Sequence, residues 1–240
     1  WNPGKGFIDH DWRGYNEAML VYVLALGSPT HPVQPEAWQA WTRTYDRNWG
    51  ELQGQTHLRF GPQFGHHYSH VWIDFRGIQD AYMRDKGLDY FENSRRATLA
   101  QHAYAVANPM RWKGYDGEVW GLSASDGPQG TTLTYRGEQR EFRGYSARGP
   151  GPIDGFDDGT LAPTAALASL PFAPDLVIPA AEAMRTRYGD DLYGRYGFLD
   201  AFNPSFDYRV PLATGKVVPG KGWFASDHLG IDQGPILAMI

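Results

Sequence analysis

The sequence predicts an all-α fold, an α/α toroid built from helix pairs. Three observations point there. Seven stretches carry helical apolar spacing, strong strand alternation is missing between them, and long irregular segments rich in acids and rings connect them. The first helix follows Gly14, with Asn16 as its cap and an apolar run over 18–26 that Gly27 and Pro29 stop. A second is expected over 35–52, where Trp38, Trp41, Tyr45 and Trp49 fall on one face and belong to the core. A third covers 71–86 and ends at Gly87. A fourth covers 90–107, with Phe91, Leu99, Ala103 and Val106, and stops at Asn108-Pro109. Two more lie at 161–170 and 175–188, and the last begins near Gly230.

Between 110 and 159 the helical pattern gives way to Gly, Ser, Thr and Pro, with short strands expected at 131–135 and 140–145. A second irregular segment runs over 203–227. Long loops in compact domains are usually functional. No low-complexity linker or internal repeat divides the chain, so 1–240 reads as one domain.

Composition narrows the function. With 42% hydrophobic and 20% charged residues, the 240-residue chain has the makings of a packed core rather than of disorder. A net charge of -5 argues against a nucleic-acid partner, and no apolar run reaches the length of a membrane span. The absence of cysteine excludes disulfides, thiolate catalysis and Cys-ligated zinc. Nine Trp, fourteen Tyr and twelve Phe bring the aromatic share to 15%, the most distinctive feature of the composition.

The motifs point away from metals and nucleotides. His66, His67 and His70 cluster, but adjacent histidines rarely ligate one ion, and no HExxH pair exists. Neither a Gly-rich phosphate loop after a strand nor a GxSxG elbow is present, and no metal or cofactor is expected. Carboxylates beside rings remain. Glu17 follows Trp12, Tyr15 and Asn16 at a helix start, where it serves equally as a dipole-stabilising charge or as a general acid raised by burial. Glu118 and Asp126 flank Trp120; Asp154, Asp157 and Asp158 precede a helix that the last of them could cap; Asp227 and Asp232 flank the final helix start. Sugar chemistry fits this inventory. Glycoside hydrolysis needs two carboxyl groups, and pyranose rings rest their apolar faces on aromatics.

Six blocks then carry a resemblance. Gly14-Tyr15-Asn16-Glu17-Ala18-Met19 with Ser28-Pro29-Thr30-His31-Pro32 is similar to the bacterial glucoamylase-like domain of glycoside hydrolase family 144. So are Tyr68 to Gly77, Tyr90 to Thr98, Trp120 to Pro128, Asp158 to Ala166 and Leu229 to Pro235, in family order. The resemblance implies an (α/α)6 barrel in an exported, periplasmic or secreted bacterial enzyme. It also implies endo-acting hydrolysis of β-1,2-glucan with inversion and without metal. Glu17 matches the position of the family's general acid, with Asp126 and Asp154 as weaker candidates for base or substrate contact. Trp12, Tyr15, Asn16, His67, Tyr68, Trp72, Glu118 and Trp120 would line subsites for an oligo- or polysaccharide. An Asp-x-x-Glu pair expected on an earlier helix has no counterpart before Glu17. Seven helices are also fewer than the twelve of such a barrel, so the chain is expected to be a C-terminal portion lacking N-terminal helices and the end of its last helix. A non-catalytic glucan-binding module, part of a cyclic β-1,2-glucan synthase, and a polysaccharide lyase on the same scaffold remain alternatives.

Overall fold

The computed structural model describes residues 2–7, 12–151 and 155–240. Eight α-helices occur among them: α1 (Met19–Leu26), α2 (Glu36–Thr42), α3 (Tyr45–Asn48), α4 (Ala81–Lys86), α5 (Tyr90–Ala107), α6 (Pro163–Leu167), α7 (Pro174–Tyr188) and α8 (Gly230–Ala238). All-α is not what the structure shows. Eleven short strands in five small sheets lie between the helices of the described residues. They are β1 (Trp49–Leu52), β2 (Gln55–Leu58), β3 (Ala124–Ser125), β4 (Thr131–Tyr135), β5 (Glu138–Phe142), β6 (Ser146–Ala147), β7 (Tyr193–Gly194), β8 (Gly197–Phe198), β9 (Phe202–Asn203), β10 (Lys216–Val218) and β11 (Gly222–Phe224).

The helix expected over 35–52 is broken for a local reason. Its spacing does bury Trp41 and Tyr45, but the chain turns back at Gln53-Gly54, where φ is 50° and 76°. Two consecutive positive φ values make the two-residue turn whose twist suits a hairpin, so Trp49 pairs with Leu58 across antiparallel strands. Only the last turns of the helix expected over 71–86 form. Asp80 caps α4 by accepting the Met83 N–H at 2.8 Å, and it also accepts from the Trp38 indole and the Tyr90 hydroxyl. Upstream, the Asp74 carboxylate accepts the Arg76 N–H, a local bond that competes with helix formation.

Helix α5 forms over its expected span, with Asp89 accepting the Glu92 N–H at one end and Asn108 left-handed at the other. Its buried face is more polar than the apolar spacing suggested. Asn93 bonds both backbone groups of Leu58, and Gln101 bonds both those of Leu122. Val106 is exposed instead.

Helix α5 spans two apolar clusters. Around its N-terminal end lie Tyr15, Met19, Trp41, Tyr45, Phe75 and Met83. Around its C-terminal end lie Trp112, Trp120, Phe142, Phe202, Phe206, Trp223 and Phe224, with α7 packed through Val177, Ala180 and Met184. The second cluster draws on the segments that read as irregular. The sheet ordered β10-β11-β9 and the hairpin β4-β5 fold their rings inward, which frees the connecting loops to carry polar groups.

Candidate active site

Four carboxylates from four distant segments converge on one open cleft of about 630 Å³. Glu17 enters just before α1, Asp126 just after β3, Asp200 just after β8, and Asp232 in the first turn of α8. Phe64, Tyr68, Tyr145, Leu229 and Ile231 complete most of the wall. An adjoining apolar groove shares Glu17, Tyr68 and Ile231 and continues past Trp72, Val21 and Pro235.

Each acid is placed by its own backbone. Asn16 accepts the Ala18 N–H through Oδ1 and donates to the Gly14 carbonyl, which fixes the entry to α1. The Ser69 hydroxyl accepts the Leu20 N–H and donates to the Glu17 carbonyl, tying that entry to the 67–73 turn. Strand β3 pairs with β6 and carries Asp126, whose backbone N–H donates to Asp200 Oδ2 at 2.7 Å. Asp200 itself donates its N–H to the Asp227 carbonyl. Asp232 is held as α8 begins, its N–H on the Leu229 carbonyl and its own carbonyl accepting from Thr164.

The electrostatics favour bound protons. Burial raises the Asp232 carboxyl most, and the neighbouring Asp200 charge adds to it. Asp200 is raised by burial as well, and two carboxyls that line one cleft favour holding a proton on one of them. Glu17 is raised by burial, and Asp126 by burial and then by the Asp227 charge. Glu17 Oε2 and Asp232 Oδ2 are both buried without a protein hydrogen-bond partner. Such oxygens are costly unless protonated or met by a ligand. Among the described residues no group of three or more His, Asp or Glu has the geometry to hold a metal ion.

Of the residues singled out from the sequence, Glu17, Asp126 and Tyr68 line this cleft and Trp72 lines the adjoining groove. Others lie away from the cleft walls, in the scaffold or on the surface. Tyr15 is buried against Tyr90 with its hydroxyl on Ser94, and the Asn16 side chain is spent on the turn that leads into α1, where the expected side-chain cap does not form. His67 is buried, bonded to the Ser169 hydroxyl, and held neutral by desolvation, its pKa lowered to about 3. Trp120 is wholly enclosed in the core, and Glu118 sits on the surface paired with Arg187. Trp12 is exposed and does not reach the cleft. Asp154 lies outside the described residues. Asp200 escaped notice because nothing in Gly197-Phe198-Leu199-Asp200 marks it as chemical. Asp232 did carry a signal, as the acid inside the Leu229 to Pro235 block, although its helix-start position explained it equally well.

Comparison with known proteins places this arrangement. The family model Glycoamylase, described as "Putative glucoamylase", matches residues 9–240. The chain belongs to the Glycoamylase family. That membership agrees with the resemblance to glycoside hydrolase family 144. A curated relative, the exo β-1,2-glucooligosaccharide sophorohydrolase (non-reducing end) of Parabacteroides distasonis, is 29% identical over 264 residues, covering 100% of this chain and 32% of its own length. An endo-β-1,2-glucanase from Chitinophaga pinensis, solved with sophorotriose and glucose, superimposes with a TM-score of 0.77 at 30% identity, over 100% of this chain and 51% of that one. A β-1,2-glucanase from Parabacteroides distasonis superimposes at 0.78 and 27% identity, over 100% of this chain and 32% of that one. The chain thus spans about a third to about a half of the length of these relatives.

Proposed function

We propose that this glycoamylase chain forms part of an α/α-toroid glycoside hydrolase that cleaves β-1,2-linked glucan within the chain, with inversion at the anomeric carbon. The observation that carries the reading is the convergence of Glu17, Asp126, Asp200 and Asp232 on one cleft, with two buried oxygens left unpartnered. The names of its relatives supply the linkage. Glu17, raised by burial, donates its proton to the glycosidic oxygen as that bond breaks. Water attacks the anomeric carbon from the opposite face. Its proton passes to an ionised carboxylate, which Asp126 or the Asp200–Asp232 pair supplies. In inverting enzymes the two carboxyl groups stand roughly 6.5–9.5 Å apart, leaving room for that water. On the family resemblance, the proposed location of such an enzyme is the periplasm or the outside of the cell.

The test is incubation of the intact protein with linear β-1,2-glucan, following reducing ends and anomeric configuration by NMR. Release of α-anomeric products is the expected result. Glu17→Gln should keep the fold and oligosaccharide affinity while losing about 10²–10⁴-fold in turnover. Wild-type turnover in that variant would remove Glu17 from the role. Affinity without any reducing-end release from the wild type would make the chain a glucan-binding unit instead.

A further inference from the structure

Tyr145 is exposed over 75% of its surface, yet it forms part of the wall of the carboxylate cleft. It rides on the short 143–145 connection between β5 and β6, a place where an unsupported aromatic would sample many orientations. Carbonyls of the loop converge on one buried guanidinium. Arg148, with no exposed surface, donates through Nη2 to the carbonyls of Arg143 (3.2 Å) and Gly144 (3.0 Å). Through Nη1 it donates to the carbonyls of Ser146 (3.2 Å) and Ser125 (2.9 Å). The backbone is therefore gripped on both sides of Tyr145 and joined to the strand that delivers Asp126.

The other face of the fork is met by Asp158, whose Oδ1 and Oδ2 accept from Nε and Nη2 at 2.8 and 2.9 Å. Asp158 also accepts the Arg143 N–H at 3.0 Å, and its own carbonyl accepts from Asn203. A fully buried ion pair is weak evidence for stability, since apolar residues of similar volume do as well. What this one does supply is geometry. A forked donor and a carboxylate fix the loop's direction in a way that apolar packing does not.

We propose that Tyr145 is a glucan-binding residue, its ring forming a stacking platform for a glucosyl unit at the mouth of the cleft, with Arg148 as the positioning residue that holds it there. The proposal rests on the hydrolase reading above. A pyranose offers an apolar C–H face that fits an aromatic face, and Tyr145 and Tyr68 line the same cleft, so the two rings border the same space. Because the ordering of the loop is complete before substrate arrives, contact with the ring contributes to affinity without a folding cost. Tyr145 acts on binding and leaves the carboxylate chemistry alone.

The experiment compares wild type, Tyr145→Ala, Tyr145→Phe, Arg148→Lys and the Tyr145→Ala/Arg148→Lys double variant on β-1,2-gluco-oligosaccharides of increasing length. Affinities are measured by calorimetry in the Glu17→Gln background. Tyr145→Ala should raise KM and Kd about tenfold on the longer substrates, with kcat changed less than about threefold, while Tyr145→Phe stays within about twofold of wild type. Arg148→Lys should raise KM in the same length-dependent way, and the double variant should be no worse in KM than Tyr145→Ala. If Arg148→Lys does not fold, the two Tyr145 variants still decide. Unchanged KM and Kd in Tyr145→Ala, or an equal loss in Tyr145→Phe, would overturn the platform while leaving the hydrolase reading intact. Binding without cleavage by wild type would end the hydrolase reading, and the Kd comparison would still settle Tyr145. Neither binding nor cleavage would overturn both.

Discussion

Replacing Asp232 with Asn should stabilise the protein, and the gain should depend on pH. Asp232 is buried at the start of α8, against Asp200 and within reach of the Asp126 charge, and its carboxyl is pushed up from 3.8 to about 8. A raised value means the folded protein holds this proton more tightly than the unfolded chain does. The stability it contributes is therefore full below about pH 4 and is lost as pH rises toward and through about 8. Four units at about 1.4 kcal/mol each set a ceiling near 6 kcal/mol for an isolated group. Asp200 shares the proton and relaxes once its partner is gone, so about 2–3 kcal/mol is the expected gain at pH 9. The amide can donate to Asp200 in place of the shared proton. For a chain of this length that corresponds to roughly 5–10 °C in Tm. Thermal unfolding of wild type and Asp232→Asn at pH 4 and pH 9 measures it: a clear gain at pH 9 that vanishes at pH 4 is expected. A loss of stability at pH 9, or the same gain at both values, would refute the account of a buried carboxyl pair sharing one proton.

Two predictions concern the scaffold. Asp158→Ala strands the Arg148 guanidinium without its carboxylate and should cost about 3–5 kcal/mol, read as a lowered urea midpoint; a change under about 1 kcal/mol would mean the surrounding carbonyls suffice. His66 is fully buried with neither ring nitrogen bonded, and desolvation holds it well below its ordinary 6.5. Below pH 6.5 the unfolded chain takes up a proton that the folded one refuses, so stability falls as pH drops. Removing this group in His66→Phe should recover about 2–3 kcal/mol of the loss between pH 7.5 and 4.5, and an unchanged acid slope in chemical denaturation would contradict it.

Local chemistry determined much of the helical framework from sequence alone. Asp89 and Asn108 bracket α5, Gly27 ends α1, and the apolar run after Gly230 becomes α8, because caps, stops and 3.6-residue spacing act within a few residues. The sequence also supplied the family, and it offered Glu17, Asp126 and Tyr68 as site residues that the structure gathers into one cleft. Local signals failed where two of them competed. Trp38, Trp41, Tyr45 and Trp49 have helical spacing, but the turn at Gln53-Gly54 converts the end of that stretch into a hairpin. Aromatic residues gave the least reliable guidance, since Tyr15 and Trp120 look like sugar contacts in sequence but pack in the core. Only the tertiary structure could decide that Asp200 and Asp232, 32 positions apart, meet in one cleft beside Asp126 and Glu17 and are both raised by burial there. Burial, like-charge proximity and the reach of one buried arginine across three segments depend on long-range packing, and none of them leaves a mark in the spacing of residues along the chain.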